Sequence, residues 1–567
     1  MIIGLQLEEM AFEQDIRELL MAFYPGAAFW YPEKDIPGRA LKGKSGQTEM
    51  AEAKVPQMMV TGQFLKEGTE YRLTVRRLEK ESFSGEAPLE AGLNGRSSEM
   101  GVNSVSEKVS PEMGVNSASE KVSPEMGMNP ASEKVSPVIE RGLAEARENA
   151  PFAIISSDHG ETKNRIKRRL YFLLMLDTGR QLPWGALTGI RPVKIPEGKL
   201  AEGWDEERIS SYMEVHYLTG EKKRKLSLEI AKEERRLLNT LNYQGGYSLY
   251  VGIPFCPTTC LYCSFTSYPI RKWESRLDGY LESLEKELLA VRDWAGGKRP
   301  QTVYVGGGTP TSLPEAQLER LMEQICSAFG SPEGEEFTVE AGRPDSITRE
   351  KLQILKDHGV SRISINPQSM NQKTLDLIGR LHTVEQVEQV FWMARETGFD
   401  NINMDIILGL PGEGRNQVVH TLERIRELKP DSLTVHCLAL KRAARLNLER
   451  ERYKEYPMAS GSLIDELAEL AAREAGGLGM KPYYLYRQKN MAGNLENVGY
   501  ASGDKACLYN ILMMEEKQTI VACGAGSVSK RVYPDGRIER CENVKDVASF
   551  IERIDEMIER KRKLLED

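Results

Sequence analysis

Between residues 248 and 438, short β-branched runs alternate with longer stretches of helical periodicity, and this alternation constrains the fold more than any other feature. Six consecutive strand–helix units predict a parallel α/β sheet that curls into a partial barrel. In such folds the chemistry lies at the carboxyl ends of the strands. The predicted strands are residues 248–253, 302–305, 337–340, 362–365, 401–408 and 432–438. The predicted helices are residues 280–294, 314–329, 349–357, 384–396 and 417–428.

Three cysteines follow the first predicted strand directly. Cys256, Cys260 and Cys263 have the spacing C-x3-C-x2-C. Three thiolates can hold three irons of a cubane cluster and leave the fourth iron open to a small ligand. A zinc site is the alternative, but it needs four ligands with paired spacing, and the nearest histidines are His216 and His358. The spacing therefore favours an open iron–sulfur cluster over zinc and over inert buried cysteines.

Further motifs stand at the ends of the next predicted strands. The second strand runs into Gly-Gly-Gly-Thr-Pro at residues 306–310, where missing Cβ atoms allow a ligand close to the backbone. Glu340 ends the third strand, and its carboxylate could accept hydrogen bonds from an ammonium group or from hydroxyls. A buried ion pair is the alternative role for Glu340.

The cluster loop, Ile-Pro-Phe-Cys-x3-Cys-x-Tyr-Cys-x-Phe, resembles that of radical S-adenosylmethionine (SAM) enzymes in the oxygen-independent coproporphyrinogen III oxidase family. Within that family, the longer agreement is closest to the coproporphyrinogen dehydrogenase (HemZ) branch. The resemblance implies a radical SAM partial (β/α)6 TIM-like barrel with a small α+β N-terminal domain and a C-terminal α+β cap. It also implies a 4Fe-4S cluster held by three cysteines, with one iron open to SAM, and one or two SAM molecules.

By this resemblance, nine residues are expected to contact SAM. In the oxidase, the positions that correspond to Gln368, Arg380 and Asp405 serve a second SAM. The arginine lies there over a carboxylate, and the aspartate lies at the ribose. The sequence departs from the family pattern twice, with Gly342-Arg343 in place of Asn-Pro and Asn366-Pro367 in place of Gly-Val. His382, in a Gly-Arg-x-His motif, is either functional or a helix cap. The expected contacts are Tyr250, Tyr262, Gly307, Gly308, Thr309, Glu340, Gln368, Arg380 and Asp405.

Residues 99–137 are three tandem units of 13 residues, rich in Ser, Pro, Gly and Asn and poor in large apolar side chains. Such a composition predicts a disordered insertion rather than a solenoid. We therefore divide the chain into an N-terminal α+β domain (1–81 and 139–240, the latter including a tether), the insertion (82–138), the radical SAM partial barrel (241–445) and a C-terminal cap with the substrate region (446–567). Within the first domain, residues 12–24 and 162–178 have helical periodicity, and residues 57–64 and 70–78 are predicted strands.

Two segments outside the barrel allow opposite interpretations. Residues 182–194 contain Trp184 and Arg191, and a turn-rich tether is favoured there over a ligand contact. In residues 483–500, Tyr484, Tyr486, Arg487 and Lys489 could hold a flat tetrapyrrole, with aromatic rings on its face and cations on its propionates. A core aromatic stripe is an equally good interpretation of that segment.

The amino-acid composition limits the classes of partner that the chain can bind. The 567 residues carry a net charge of -8, which gives no general attraction to nucleic acid or to anionic membranes. No apolar run approaches the roughly 20 residues of a transmembrane helix, and residues 1–9 lack the features of a signal peptide. Eight cysteines in so long a chain fit a reducing cytoplasm. We expect a cytoplasmic protein with no nucleic-acid partner and no membrane span.

The resemblance implies an activity and leaves a rival open. In the family reaction, hydrogen leaves the propionates of coproporphyrinogen III, CO2 is lost, and protoporphyrinogen IX forms in oxygen-independent haem biosynthesis, with a low-potential donor such as flavodoxin or ferredoxin. The rival is a haem chaperone of the same family without oxidase activity. The oxidase has a further cysteine at the position of Phe265, whereas the chaperone branch has phenylalanine there, as this chain does. A radical SAM enzyme for another substrate is the third alternative.

Overall fold

The computed structural model of the chain describes residues 1–8, 10–31, 56–65, 70–78, 136–149, 151–153, 157–239, 241, 243–265, 267–330, 336–439, 444–453, 455–456, 459–488 and 495–566. Strands within these ranges are β1 (Ile2–Leu7), β2 (Ala28–Trp30), β3 (Met58–Leu65), β4 (Glu70–Arg77), β5 (Phe152–Ala153), β6 (Tyr247–Ile253), β7 (Phe255–Cys256), β8 (Tyr268–Pro269), β9 (Thr302–Gly307), β10 (Glu336–Glu340), β11 (Arg362–Ser364), β12 (Ile402–Leu408), β13 (Ser432–Cys437), β14 (Met480–Tyr486), β15 (Asn497–Ser502), β16 (Thr519–Cys523), β17 (Val528–Val532) and β18 (Ile538–Glu542).

The α-helices within the same ranges flank these strands. They are α1 (Glu13–Phe23), α2 (Pro137–Arg147), α3 (His159–Thr178), α4 (Lys194–Ala201), α5 (Glu206–Tyr217), α6 (Glu221–Leu238), α7 (Leu277–Ala295), α8 (Glu315–Phe329), α9 (Arg349–Asp357), α10 (Gln372–Leu377), α11 (Val384–Glu396), α12 (Arg415–Leu428), α13 (Arg445–Leu448), α14 (Gly461–Gly477), α15 (Leu508–Met514), α16 (Val547–Glu552) and α17 (Ile554–Glu566). Among the described residues, no helix is both long enough and apolar enough to cross a bilayer.

Six parallel strands form the centre of the larger sheet, in the order in which they occur along the chain: β6, β9, β10, β11, β12 and β13. This confirms the strand–helix alternation and the parallel sheet predicted from it. In β6 and β12, six of the seven residues are buried, because helices cover the sheet and parallel strands then need apolar side chains on both faces. Their carboxyl ends consequently meet on one side of the sheet.

The C-terminal region extends this sheet at both edges. On one side, β16 pairs in parallel with β6 and is followed by the antiparallel strands β17 and β18. On the other, β15 pairs antiparallel with β13, and β14 completes that edge. The sheet therefore has 11 strands, with β14 and β18 at its edges.

The N-terminal part has its own mixed sheet, with strand order β2-β1-β3-β4-β5. Its apolar core includes Phe23, Tyr71 and Leu170, from elements on both sides of the repeat region, and β4 pairs with β5 across it. The repeats themselves lie outside the described residues, apart from Ser136 and Pro137. Pro137 and Val138, predicted to end the insertion, instead form the first turn of α2. The predicted domain boundaries stay a prediction.

Residues 182–194 contribute side chains both to the core of the N-terminal part and to that of the large sheet. Trp184 is fully buried, and its indole Nε1 donates to Glu496 Oε2 at 2.7 Å. Lys223 of α6 donates to the other oxygen of Glu496, also at 2.7 Å. Arg191 pairs with Glu516 at 2.7 Å. Both special residues of this segment thus serve protein contacts.

Candidate functional site

The cysteine loop crosses the carboxyl end of the central sheet and is fixed there by its backbone. Cys256 ends β7, which pairs with β8. Further along the loop, the N–H of Leu261 donates to Ile378 O at 2.9 Å, and Leu261 O accepts from Leu446 N at the same distance. The loop is therefore held between the segment after α10 and the start of α13. The three cysteines Cys256, Cys260 and Cys263 are all free and half-buried.

The donor set of this loop fits an iron–sulfur cluster. Burial raises the pKa of the Cys256 thiol to about 11, although a contact with Thr309 opposes this rise. Iron must therefore displace a proton from that thiol, as metals do when they bind cysteine. No three His, Cys, Asp or Glu side chains among the described residues surround a single ion. A cubane cluster makes a different demand, because each thiolate binds its own iron.

Arg343, one of the two departures from the family pattern, lies against the cysteine loop. Its Nη1 is 3.6 Å from Cys260 Sγ and donates to Thr258 O at 3.2 Å. Its Nε and Nη2 donate to the two oxygens of Asp345 at 2.9 and 2.8 Å. The buried ring of His382 stands behind Asp345, with Nδ1 at 3.7 Å from Oδ1. Burial opposes the ionisation of Asp345, but His382 and Arg343 hold its pKa below the usual range.

His382 itself does not cap the neighbouring helix. Thr383 is the N-cap of α11, and it forms a reciprocal capping box with Gln386. Burial lowers the pKa of His382, although Asp345 opposes this shift. Of the two roles that the sequence allowed, helix cap is therefore wrong, and His382 lies 3.7 Å from the carboxylate that holds Arg343.

The glycine segment packs directly on the cysteine loop. Gly308 N donates to Ile253 O at 2.8 Å, and Thr309 N donates to Phe255 O at 2.7 Å. A Cβ on Gly308 would lie 2.5 Å from Phe255 O, so the protein backbone already requires glycine there. Gly307 has a φ of 108°, a conformation that favours glycine for a second reason. Thr309 Oγ1 is 3.5 Å from Cys256 Sγ, which joins this segment to the cluster ligands.

Glu340 ends β10 beside a stack of tyrosines. Tyr304 donates to Glu340 Oε1 at 2.7 Å, and the rings of Tyr250, Tyr304 and Tyr509 stack with centroid separations of 4.6 to 6.3 Å. Burial raises the pKa of Glu340 to about 7, and the Tyr304 hydrogen bond opposes this rise. No cation pairs with Glu340 among the described ion pairs, so its predicted role toward an ammonium or hydroxyl ligand is chemically open. Tyr509 was not predicted, since it reaches this stack from α15.

Gln368 combines a left-handed backbone conformation with a buried side-chain amide. Its φ is 66°, in the left-handed region, and β12 holds it there through bonds from Gln368 N to Asp405 O and from Ile407 N to Gln368 O, each 2.9 Å. Its Oε1 is buried and has no hydrogen-bond partner among the described residues. Such strain and such an unpaired buried group are both uncommon away from functional sites.

Asn366, the other departure from the family pattern, carries a second buried amide. Its Oδ1 also has no partner among the described residues, and its Nδ2 faces Gly342. Arg380 connects the two positions, since Nη2 donates to Gly342 O and, at 2.8 Å, to Asn366 O. The Nη1 of Arg380 donates to Tyr262 Oη at 3.1 Å. Both predicted residues, Arg380 and Tyr262, thus lie together at the strand ends, with Arg380 Nη1 and Nη2 occupied by protein groups.

Asp405 is oriented by a histidine that the sequence interpretation missed. Asn403 donates to Asp405 Oδ1 at 2.7 Å, and His436 Nε2 is 3.6 Å from Oδ2. Tyr486 Oη lies 3.5 Å from the other ring nitrogen of His436. Burial would raise the pKa of Asp405, but the contact with His436 and the hydrogen bonds from Asn403 and Thr434 turn the net shift downward. His436 stands near the end of β13, so its position on a predicted strand was the one available signal.

Two residues predicted to hold a tetrapyrrole are packing residues instead. Tyr484 is 4% exposed, and its ring fills the space where Gly499 lacks a Cβ. Arg487 is equally buried and donates to Leu187 O at 2.7 Å, which commits the cation to the tether. Tyr486 remains near the strand ends through its contact with His436, and Lys489 lies outside the described residues.

Known proteins resemble the chain over the region that carries this site. Residues 250–425 match the Radical SAM superfamily model. The oxygen-independent coproporphyrinogen-III oxidase-like protein HemZ of Bacillus subtilis is 41% identical over 411 residues, 72% of this chain and 81% of HemZ. The heme chaperone HemW of B. subtilis is 40% identical over 192 residues, 34% of this chain and 50% of HemW. The oxygen-independent coproporphyrinogen III oxidase of Escherichia coli is 35% identical over 188 residues, 33% and 41% of the two chains.

Proposed function

We propose that this chain, which belongs to the radical SAM family of oxygen-independent coproporphyrinogen-III oxidase-like proteins, oxidatively decarboxylates propionate groups of a tetrapyrrole. Membership of the radical SAM superfamily implies a 4Fe-4S cluster and SAM. When bound, this pair supplies a one-electron cleavage of SAM and a radical able to take hydrogen from unactivated carbon, which no side chain can do. The observation that carries the proposal is the cysteine loop, which places Cys256, Cys260 and Cys263 at the strand ends against the glycine segment.

The residues of this chain divide the work of binding. Cys256, Cys260 and Cys263 would hold three irons of the cluster. Gly307 and Thr309 lie on either side of Gly308, the glycine that packs on the cysteine loop. They would approach the methionyl part of SAM through main-chain groups. Both segments bond to each other, so that the cluster and the ligand would keep a fixed relative position. That fixed position favours a single reacting geometry.

Polar groups on the other strands would orient the ligands. Glu340 and Asp405 would accept from ammonium or ribose hydroxyl groups, since charged acceptors form the stronger hydrogen bonds. Gln368 would satisfy its unpaired oxygen with a ligand donor, as buried polar atoms normally are satisfied. Tyr250 and the tyrosines stacked on it exclude water from the Glu340 side.

For the substrate we propose coproporphyrinogen III. A hydrogen atom would pass from the β-carbon of a propionate to the radical that SAM supplies, the carboxylate would depart as CO2, and the remaining electron would pass to a one-electron acceptor outside the chain as the vinyl group forms. The same sequence on a second propionate yields protoporphyrinogen IX. The similarity to an oxidase-like relative over 81% of that relative's length supports this substrate. We further propose a low-potential electron donor such as flavodoxin or ferredoxin, and a cytoplasmic location.

One observation favours a second candidate, a haem-carrying protein. Phe265 follows the third cysteine by two residues and is 70% exposed. An exposed aromatic ring beside the cluster loop offers a face to a flat macrocycle. Haem chaperones are also among the similar proteins.

A pair of assays on anaerobically reconstituted protein distinguishes the two candidates. The oxidase proposal predicts vinyl products from coproporphyrinogen III with SAM and a low-potential reductant. The carrier alternative predicts no product but tight haem binding that Phe265→Ser weakens, while iron content stays unchanged. Leu448→Ser, at a side chain that is also 70% exposed, is the control for loss of an exposed apolar group. Haem binding equal in wild type and Phe265→Ser, together with vinyl product, would eliminate the carrier.

A further inference from the structure

Arg343 places its guanidinium group against the cysteine loop. The residue is only 3% exposed, so solvent screens its charge weakly. Nη1 lies 3.6 Å from Cys260 Sγ, within the range of a hydrogen bond to sulfur. The same Nη1 donates to the carbonyl and hydroxyl oxygens of Thr258 at 3.2 and 3.1 Å. The Nη1 atom thus contacts both the backbone of the cysteine loop and one of the thiols of that loop.

The orientation of Arg343 is set from its opposite side. Asp345 takes the Nε and Nη2 edge of the guanidinium in a bidentate pair, which leaves Nη1 directed at the loop. His382, fully buried, stands beyond Asp345 at 3.7 Å. The pair is therefore polar rather than simply neutral: its positive end contacts Cys260, and its negative end lies on the far side.

We propose that Arg343 is a positioning residue that raises the reduction potential of the cluster through its contact with Cys260. This inference rests on the proposed function, because it requires the cluster to be bound by the three cysteines. Hydrogen bonds to the sulfurs and the net charge around a cluster are principal determinants of its potential. Reduction adds a negative charge, which a nearby cation stabilises. Arg343 therefore makes the cluster easier to reduce, and a weaker electron donor suffices.

A change at Asp345 should shift the reduction potential of the cluster in the opposite direction. Replacing its carboxylate with an amide keeps the side-chain size and removes the charge that compensates Arg343. The net charge beside the cluster then becomes more positive. The reduction potential should rise in Asp345→Asn, whereas it should fall in Arg343→Gln. A purely structural role for this pair predicts no such opposition of signs.

The test is an anaerobic redox titration of the reconstituted full-length protein without SAM, followed by the electron paramagnetic resonance signal of the reduced cluster. Iron content is measured on each sample. We expect the midpoint potential to shift to more negative values in Arg343→Gln, less so in Arg343→Lys, and to more positive values in Asp345→Asn. Lys keeps the charge but loses the forked geometry. Arg349→Gln, at an exposed arginine paired with Glu396, is the matched control and should leave the potential unchanged.

The outcomes separate the inference from the proposed function. A loaded Arg343→Gln cluster with the wild-type potential would overturn the inference alone, as would a negative shift in Asp345→Asn. If Arg343→Gln fails to assemble a cluster, the sign of the shift in Asp345→Asn decides. Wild-type protein that binds no iron under reconstitution overturns the proposed function, and the inference falls with it.

Discussion

A Cβ atom built on Gly342 would lie 3.2 Å from the Nδ2 atom of Asn366. The two residues are the first positions of the two departures from the family pattern, which has asparagine where this chain has Gly342 and glycine where it has Asn366. The exchange is therefore reciprocal across one contact, and a side chain at position 342 would press on the Asn366 amide. In this chain the amide reaches the strand ends from the segment after β11 rather than from the segment after β10.

This reciprocity predicts a rescue. Because Asn366 Oδ1 is buried and has no partner among the described residues, we expect it to accept a hydrogen bond from SAM. Gly342→Asn should displace the Asn366 amide, and Asn366→Gly should remove it, so that each single change weakens SAM binding about tenfold, the worth of one lost hydrogen bond to a charged or polar ligand. The double variant should recover most of the affinity, since it restores one amide in the same space. Anaerobic calorimetry of SAM binding to the cluster-loaded proteins measures this. Additive losses in the double variant would contradict the account.

A second prediction concerns His436 and Asp405. Burial would raise the pKa of Asp405, and the contact with His436, together with hydrogen bonds from Asn403 and Thr434, outweighs it. His436→Leu removes the His436 contribution and leaves the other two, so the pKa of Asp405 should rise and the carboxylate should lose charge at a higher pH than in the wild type. SAM affinity should then decline between pH 8 and pH 6 by about tenfold, while the wild-type affinity stays nearly constant. A flat profile in the variant would show that Asp405 does not bind the ligand.

A third prediction uses two neighbouring carboxylates with opposite pKa shifts. Burial raises the pKa of Glu515 from 4.5 to about 7, and neither of its oxygens has a hydrogen-bond partner among the described residues. The stability that its protonated form contributes is fully present below pH 4.5 and is lost as pH rises through about 7. Glu515→Gln should therefore be more stable than wild type at pH 8, by on the order of 2–3 kcal/mol, and nearly equal to it at pH 4.5.

Glu516 is the matched control for that experiment. Burial opposes its ionisation, but Lys194, Lys530 and Arg191 hold its pKa at about 2. The stability that the ionised Glu516 carboxylate contributes is present above its ordinary pKa of 4.5 and is lost only as pH falls through about 2. Glu516→Gln should thus lower the unfolding midpoint at pH 8, opposite to Glu515→Gln. Urea unfolding at the two pH values compares both variants, and shifts of the same sign would contradict the assigned environments.

A fourth prediction corrects the predicted tetrapyrrole contact at Arg487. Because Arg487 is buried and donates to Leu187 O, Arg487→Met should destabilise the fold by about 2–3 kcal/mol and leave the affinity for a tetrapyrrole unchanged. Thermal unfolding and binding titrations separate the two effects. A stable variant with weakened tetrapyrrole binding would restore the original interpretation.

The sequence predicted the central sheet well because parallel strands covered on both faces, such as β6 and β12, must be almost wholly apolar. The cysteine spacing likewise predicted the loop's chemistry from a local pattern. Contacts between distant segments had no such pattern. Arg343 meets Cys260 across 83 residues, and a single histidine at position 436 resembles any other strand residue. The aromatic and basic residues around Arg487 are as typical of a ligand site as of a protein core. Only the packing of their side chains distinguishes the two interpretations.

The central claim is that Cys256, Cys260 and Cys263 hold a cluster at which SAM is cleaved. The most direct measurement is the formation of 5′-deoxyadenosine by anaerobically reconstituted protein supplied with SAM and a low-potential reductant, with and without coproporphyrinogen III. The account predicts 5′-deoxyadenosine from wild type and none from Cys260→Ala, which should also lose its iron. An intact, reducible cluster that leaves SAM uncleaved, or a fully loaded cluster in Cys260→Ala, would contradict it.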